Sequence, residues 1–269
     1  GGFSAVGYFF ARQLHLTIDV PIGMINNAWG GSACEAWVNR DVLKANEKFA
    51  PMMARWEAQE KQFAELSGNN SLNDDQKKAL EGLKRQMTGN SRPANIYNGV
   101  LKSHLGYTIR GAIWYQGESN VGTHYAYQRL FTNMIDSWRK AWNKNFPFYF
   151  VQIAPYTYGD NHINGALLRE AQTKSTTFPK TGMVVVSDLV NNVKDIHPIL
   201  KKEVAARLAN YALAETYSVK GLNYKSPVYA SHAIEKNKIR IQFENVPTGL
   251  MSKGVEPTDF YIAGTDGVF

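Results

Sequence analysis

The chain has 269 residues, 44% hydrophobic and 20% charged, enough for a large globular domain with a sizeable core and too apolar for wholesale disorder. Thirty basic residues against 23 acidic ones give a formal charge of +7, but it is dispersed, and the longest basic runs are pairs such as Lys77-Lys78. No nucleic-acid surface is expected on that pattern, and no apolar run approaches the roughly eighteen residues of a membrane span. The one cysteine, Cys34, excludes an intramolecular disulfide and a multi-cysteine zinc site.

The first residues, Gly1-Gly2-Phe3, run straight into a helical pattern from Ser4 to Leu14, with neither an initiator Met nor a signal peptide. With the strand-like Phe260-Tyr-Ile-Ala263 close to the other end, the sequence reads as a piece of something longer. Residues 20–27 (Val-Pro-Ile-Gly-Met-Ile-Asn-Asn) read as a short buried strand, Trp29-Gly30-Gly31-Ser32 as a turn, and residues 33–43 as a helix. Residues 44–92 are richer in charge, with two helical patterns over 48–66 and 72–87 around Ser67-Gly-Asn-Asn-Ser71. They are expected to form an inserted helical hairpin, polar outside.

Beyond the insert the pattern alternates. Strands are expected over 109–115, 148–153 and 182–187, and helices over 124–142, 166–177 and 199–217. Such alternation implies an α/β fold: a mostly parallel sheet covered by helices on both faces. Past Leu222 three strand-like runs (228–232, 238–243, 260–263) follow without helices, the start of a β-rich appendage. The expected domains are therefore residues 1–220 and 221–269.

Open parallel sheets bind ligands in the crevice at the carboxyl ends of their strands, which selects four loops: 27–32, 116–120, 154–158 and 188–198. They hold amides, glycines, a carboxylate and a histidine, the groups that acyl transfer needs. Each has an ordinary alternative. Gly30-Gly31 is either a tight turn or a backbone N–H offered to an oxyanion, and Glu118 is either a cap or a participant. His197 is either a surface histidine or a general base beside Asp195. His15, His104, His124, His162 and His232 are scattered, without the i, i+4 pair of a helical metal site. The Gly-x-Ser-x-Gly elbow fails at both candidates, because Cys34 and Val121 stand in its last place.

Six blocks in order carry a resemblance: Phe3-Ser-Ala-Val; Gly23-Met-Ile-Asn-Asn-Ala-Trp-Gly-Gly31 with Glu35-Ala-Trp37; Tyr97-Asn-Gly99; Gly111-Ala-Ile-Trp-Tyr-Gln-Gly-Glu-Ser-Asn120; Leu168-Arg-Glu-Ala-Gln172; and Asp195-Ile-His-Pro198. Together they resemble the sialate O-acetylesterase family of SGNH hydrolases, related to acetylxylan esterases. The resemblance implies a flavodoxin-like sheet and a serine esterase that removes O-acetyl groups from sugars without metal or cofactor. His197 would be the general base, oriented by Asp195 or Glu118. Gly31 by its N–H and Gln116 by its side-chain amide would meet the oxyanion, with Gly117, Asn120 and Arg169 in the same binding blocks. The family's nucleophile segment, Gly-Gln-Ser-Asn-Met, occurs nowhere in the chain, so the serine is expected upstream of Gly1, on a strand supplied by another segment or chain. The aspartate that SGNH enzymes often carry three residues before the histidine is Lys194 here. Periplasmic or secreted location is implied by the resemblance alone. A catalytically inactive glycan-binding fragment and a lipid or thioester hydrolase of the same superfamily are the competing expectations.

Overall fold

The structure is a computed structural model that describes residues 2–159, 163–251 and 260–268. His162 lies outside the described residues. The chain divides into two units, Gly1–Tyr224 and Lys225–Phe269, four residues beyond the expected boundary.

The first unit is built on three parallel strands, β1 (Ala112–Trp114), β2 (Phe148–Val151) and β3 (Thr181–Val184), in that spatial order. The order follows from the alternation, because each strand returns parallel to the last through a helix: α6 (His124–Ala141) and then α7 (Ile163–Lys174). β2 is apolar at every position because both faces of the sheet are covered. Phe148 and Phe150 face one core with Trp114, Phe131 of α6 and Leu168 of α7. Tyr149 and Val151 face the other, with Phe10 and Leu14 of α1 (Ala5–Ile18) and Val204 and Leu208 of α8 (Lys201–Glu215). α1 begins where the Ser4 hydroxyl accepts the Gly7 N–H at 3.1 Å and ends where Asp19 turns left-handed at φ 51°.

Three expected elements form differently. Residues 33–43 are not one helix. A 3₁₀ turn, Cys34–Trp37, gives way to extended Val38, and Asn39 caps a new short helix, α2 (Arg40–Lys44), by accepting the Asp41 N–H at 2.8 Å. An asparagine that bonds its own backbone two residues on stops one helix and starts the next. Residues 20–27 are not a strand. They belong to no ladder, and Pro21 has no N–H to offer one. Nor do they pair with β1. A cavity of about 1100 Å³ lies there, lined by Ile22 and Met24 on one side and by Ala112, Ile113 and Trp114 on the other. Finally, 260–263 form no strand, so the second unit's described sheet is one antiparallel hairpin, β4 (Val228–Glu235) with β5 (Lys238–Glu244).

The insert is the expected hairpin: α3 (Ala50–Ser67), α4 (Asp74–Met87) and then the short α5 (Asn95–Gly99). Pro51 in the first turn of α3 and an Asn73–Gln76 capping box on α4 mark where each helix starts. Met53, Trp56, Leu83 and Met87 bury its apolar stripe. Glu60 of α3 receives Arg40 through two bonds of 2.7 Å and Arg92 through one of 2.9 Å, which ties the hairpin to the chain on both of its flanks.

Candidate active site

The cavity beside β1 opens at the carboxyl end of the sheet, where the loops 27–32, 115–119 and 196–198 line it together with Lys201. Of the residues singled out from the sequence, Gly31, Gln116, Glu118 and His197 line it. Gly117, Asn120 and Asp195 are next to lining residues in the chain but do not line it themselves. Arg169 sits apart from it beside Tyr158, with its charge disfavoured by burial.

The 30–32 loop is held by its carbonyls. Gly30 O accepts from Asn90 Nδ2 at 2.9 Å, Gly31 O from Ser119 Oγ at 2.9 Å, and Ser32 O from Gln116 Nε2 at 2.9 Å. The next two N–H groups are also engaged: Ala33 donates to Asn90 O at 3.1 Å and Cys34 to Asn120 Oδ1 at 2.9 Å. Among the described residues, the N–H groups of Gly30, Gly31 and Ser32 have no acceptor. Gly31 has φ +66°, a conformation that glycine adopts without the strain a side chain would add. Three carbonyls tied back and three donors left over make a ready site for an oxyanion.

Gln116 does different work from the expected one. Its side-chain N–H groups go to Ser32 O at 2.9 Å and to Asn120 Oδ1 at 2.8 Å, and its Oε1 accepts from Tyr127 at 3.0 Å. An amide has two hydrogens, so none remains for an oxyanion. Gln116 braces the loop instead. Its backbone carbonyl is held in turn by Gln172 at 3.1 Å, and Gln172 Oε1 accepts the Ile153 N–H at 2.9 Å. Gly117 lies against this brace: a Cβ there would meet Ile153 at 2.7 Å and Gln172 at 3.0 Å.

His197 projects into solvent, its side chain 85% exposed. The nearest carboxylate oxygen, Asp195 Oδ1, is 3.6 Å from Nδ1, beyond hydrogen-bond reach, because it accepts the His197 backbone N–H at 2.9 Å. The expected Asp195–imidazole bond is therefore not made, and Glu118 makes none either. Burial raises the Glu118 pKa, opposed by its own and Gly117's backbone N–H groups and by the charge of Lys201. The Lys201 ammonium stands 5.5 Å over the Tyr115 ring, and burial lowers its pKa against the pull of Glu118 and Asp195.

Among the described residues, three serines line the cavity: Ser4 Oγ accepts the Gly7 N–H, Ser32 Oγ accepts from the Trp37 indole at 2.9 Å, and Ser119 Oγ donates to Gly31 O. None reaches His197. The sequence reading missed Glu35, Tyr127, Gln172 and Lys201. Glu35 and Gln172 stand within two of the six blocks, and that placement was the one signal available in the sequence.

Residues 87–217 match the family model described as carbohydrate esterase, sialic acid-specific acetylesterase. The chain is 29% identical over 244 residues to the sialate O-acetylesterase of Mus musculus and 28% identical to that of Homo sapiens. Each alignment covers 84% of this chain, but only 45% and 41% of those proteins, so the chain spans less than half the length of the relatives it matches. The crystal structure of a carbohydrate acetylesterase from Xanthomonas citri superposes with a TM-score of 0.69 at 32% identity, over 91% of this chain and 48% of that one. These matches bear out the resemblance read from the six blocks and the α/β fold class.

Proposed function

We propose, from the match of residues 87–217 to the model of the sialic acid-specific acetylesterases, that the protein hydrolyses O-acetyl esters of sugars by a serine–histidine mechanism. The observation that carries this reading is the 30–32 loop. The loop, with the unengaged N–H groups of Gly31 and Ser32 among its donors, lines the same cavity as His197. A serine Oγ attacks the acetyl carbonyl while His197 takes its proton. The carbonyl oxygen, now an anion, receives the Gly31 and Ser32 N–H groups. The sugar oxygen leaves with the proton from His197, and water, deprotonated by the same imidazole, releases acetate from the serine. Trp29, Tyr107 and Tyr115 on the cavity wall offer flat faces to a sugar ring.

The serine in this reading comes from a segment outside residues 1–269 that lies as a strand in the groove beside β1. Three features support that placement: the edge of β1, the apolar walls, and the lack of a bond between His197 and any of the described serines lining the cavity. Asp195 is the proposed orienting acid, since its oxygen, 3.6 Å from the imidazole Nδ1, is the closest carboxylate to it.

The test is to treat the full-length gene product with a fluorophosphonate and to measure acetate release from O-acetylated sialic acid and acetylated xylan. The expected outcome is release from at least one sugar, abolished by the probe, with the labelled serine outside residues 1–269. Release that continues with no serine labelled would overturn the mechanism. Absence of release from every ester would leave a glycan-binding protein.

A further inference from the structure

Glu35 is 7% exposed, in a stretch that otherwise buries Cys34, Ala36 and Trp37. A carboxyl group in such a place is costly unless it is hydrogen-bonded, and no ion pair is made to it among the described residues. Its partner is an amide: Asn120 Nδ2 donates to Glu35 Oε2 at 2.9 Å. The other side of that amide is equally determined. Asn120 Oδ1 accepts from the Cys34 N–H at 2.9 Å and from Gln116 Nε2 at 2.8 Å. With two donors on the oxygen, the nitrogen has to face Glu35, and an acceptor at position 35 decides which way the amide points. Gln116 then carries the constraint to Ser32 O. The Glu35 carbonyl accepts the Ala94 N–H at 3.1 Å, which anchors this residue to the neighbouring segment.

We propose that Glu35 is a positioning residue for the oxyanion loop, acting through Asn120 to hold the peptides on both sides of Ala33 and so to fix the segment that carries the Gly31 and Ser32 N–H groups at the cavity wall. The proposal rests on the reading of those N–H groups as oxyanion donors. What it requires at position 35 is an acceptor, and a buried network of this kind is cooperative, so reversing one partner has to be felt along the whole chain of bonds.

The experiment compares wild type, Glu35→Gln, Asn120→Asp and the double variant. Asn120→Asp keeps an oxygen for Cys34 and Gln116 but sets carboxyl against carboxyl. Adding Glu35→Gln restores a donor–acceptor pair with its direction reversed. Amide hydrogen exchange on the 269-residue chain is the first readout. Exchange at Gly31 and Ser32 should quicken at least about 10-fold in Asn120→Asp, with the α6 amides unchanged, and should return to within about 3-fold of wild type in the double variant. The second readout is hydrolysis of an aryl acetate by the full-length protein. There kcat should fall at least about 10-fold in Asn120→Asp with KM little changed, Glu35→Gln should lose less, and the double variant should recover. Equal loosening of loop and α6, or a double variant no better than Asn120→Asp, overturns the proposal. Should the wild type hydrolyse no ester, the esterase reading fails while the exchange pattern still decides the role of Glu35. Should Asn120→Asp not fold, loop exchange in the double variant against Glu35→Gln decides it.

Discussion

A general base is useful only where its imidazole is both accessible and aimed, and His197 shows the first property more than the second. Its ring is exposed, and its nearest carboxylate is occupied with the backbone of the same turn. His197→Ala in the full-length protein should therefore lower kcat on an aryl acetate by at least about 10²-fold while changing KM little, because the serine loses its proton acceptor. Retention of a tenth or more of the activity assigns the base elsewhere. Asp195→Asn should cost less than His197→Ala, since it removes orientation and leaves the acceptor. Gly117 makes a sharper case for packing. A methyl group there meets Ile153, Leu168 and Gln172 at 2.7–3.0 Å, so Gly117→Ala should destabilise by about 1–3 kcal/mol in a denaturant titration and should loosen the Gln116 brace. The pattern Gly30-Gly31 was legible in the sequence as a turn or a donor. How the turn is held was not, because that depends on Asn90, Ser119 and Gln116 donating to the carbonyls of Gly30, Gly31 and Ser32.

Among the elements, the insert shows how local rules and one long-range tie combine. Its two helices were legible from periodicity, and the proline and the capping box explain their starts. Their attachment was not legible, since it depends on Glu60 meeting two arginines at 20 and 32 residues' separation. Burial raises the pKa of Glu60, but the bonds from Arg40 and Arg92 outweigh it and the net shift is downward. A carboxyl whose folded pKa is depressed contributes stability above its ordinary value, and that contribution disappears as pH falls through the folded value. The hairpin should accordingly loosen before the core on acidification below about pH 4, read as faster exchange or proteolysis in α3 and α4. Glu60→Gln should produce that loosening at neutral pH, cost about 1–2 kcal/mol, and remove the acid sensitivity. An α3 that stays as protected in Glu60→Gln as in wild type would show that the apolar stripe alone docks it. Residues 33–43 teach the complementary lesson: their helical periodicity is real, but Asn39 closes a turn within it that outcompetes one continuous helix.

At the scale of the molecule, the groove beside β1 is the feature with the largest consequence. β1 is three residues long and lies at the sheet's edge, and unpaired strand edges are uncommon beside apolar walls. Filling the groove with a strand of about four apolar residues contributes about 1.5–3 kcal/mol per side chain, against about 1–2 kcal/mol per residue of lost backbone freedom. The net gain is a few kcal/mol, so the full-length protein should melt at least about 5 °C above residues 1–269 in calorimetry. Equal melting temperatures would mean that nothing occupies the groove.

Composition and periodicity by themselves determined the α/β class, the order of β1, α6, β2, α7, β3 and α8, and the helical insert. These are the properties that neighbours in sequence control through the 2.0 and 3.6 periods and through capping. The blocks around Gly31, Gln116 and His197 pointed to one loop cluster, because parallel strands deliver their carboxyl ends to one edge. Only the tertiary structure decided that residues 20–27 stay out of the sheet, since a strand exists by its partner's hydrogen bonds. It alone decided that Gln116 braces where it was expected to donate, since a two-hydrogen amide held by Ser32 and Asn120 has nothing left to give, and those partners lie far away along the chain.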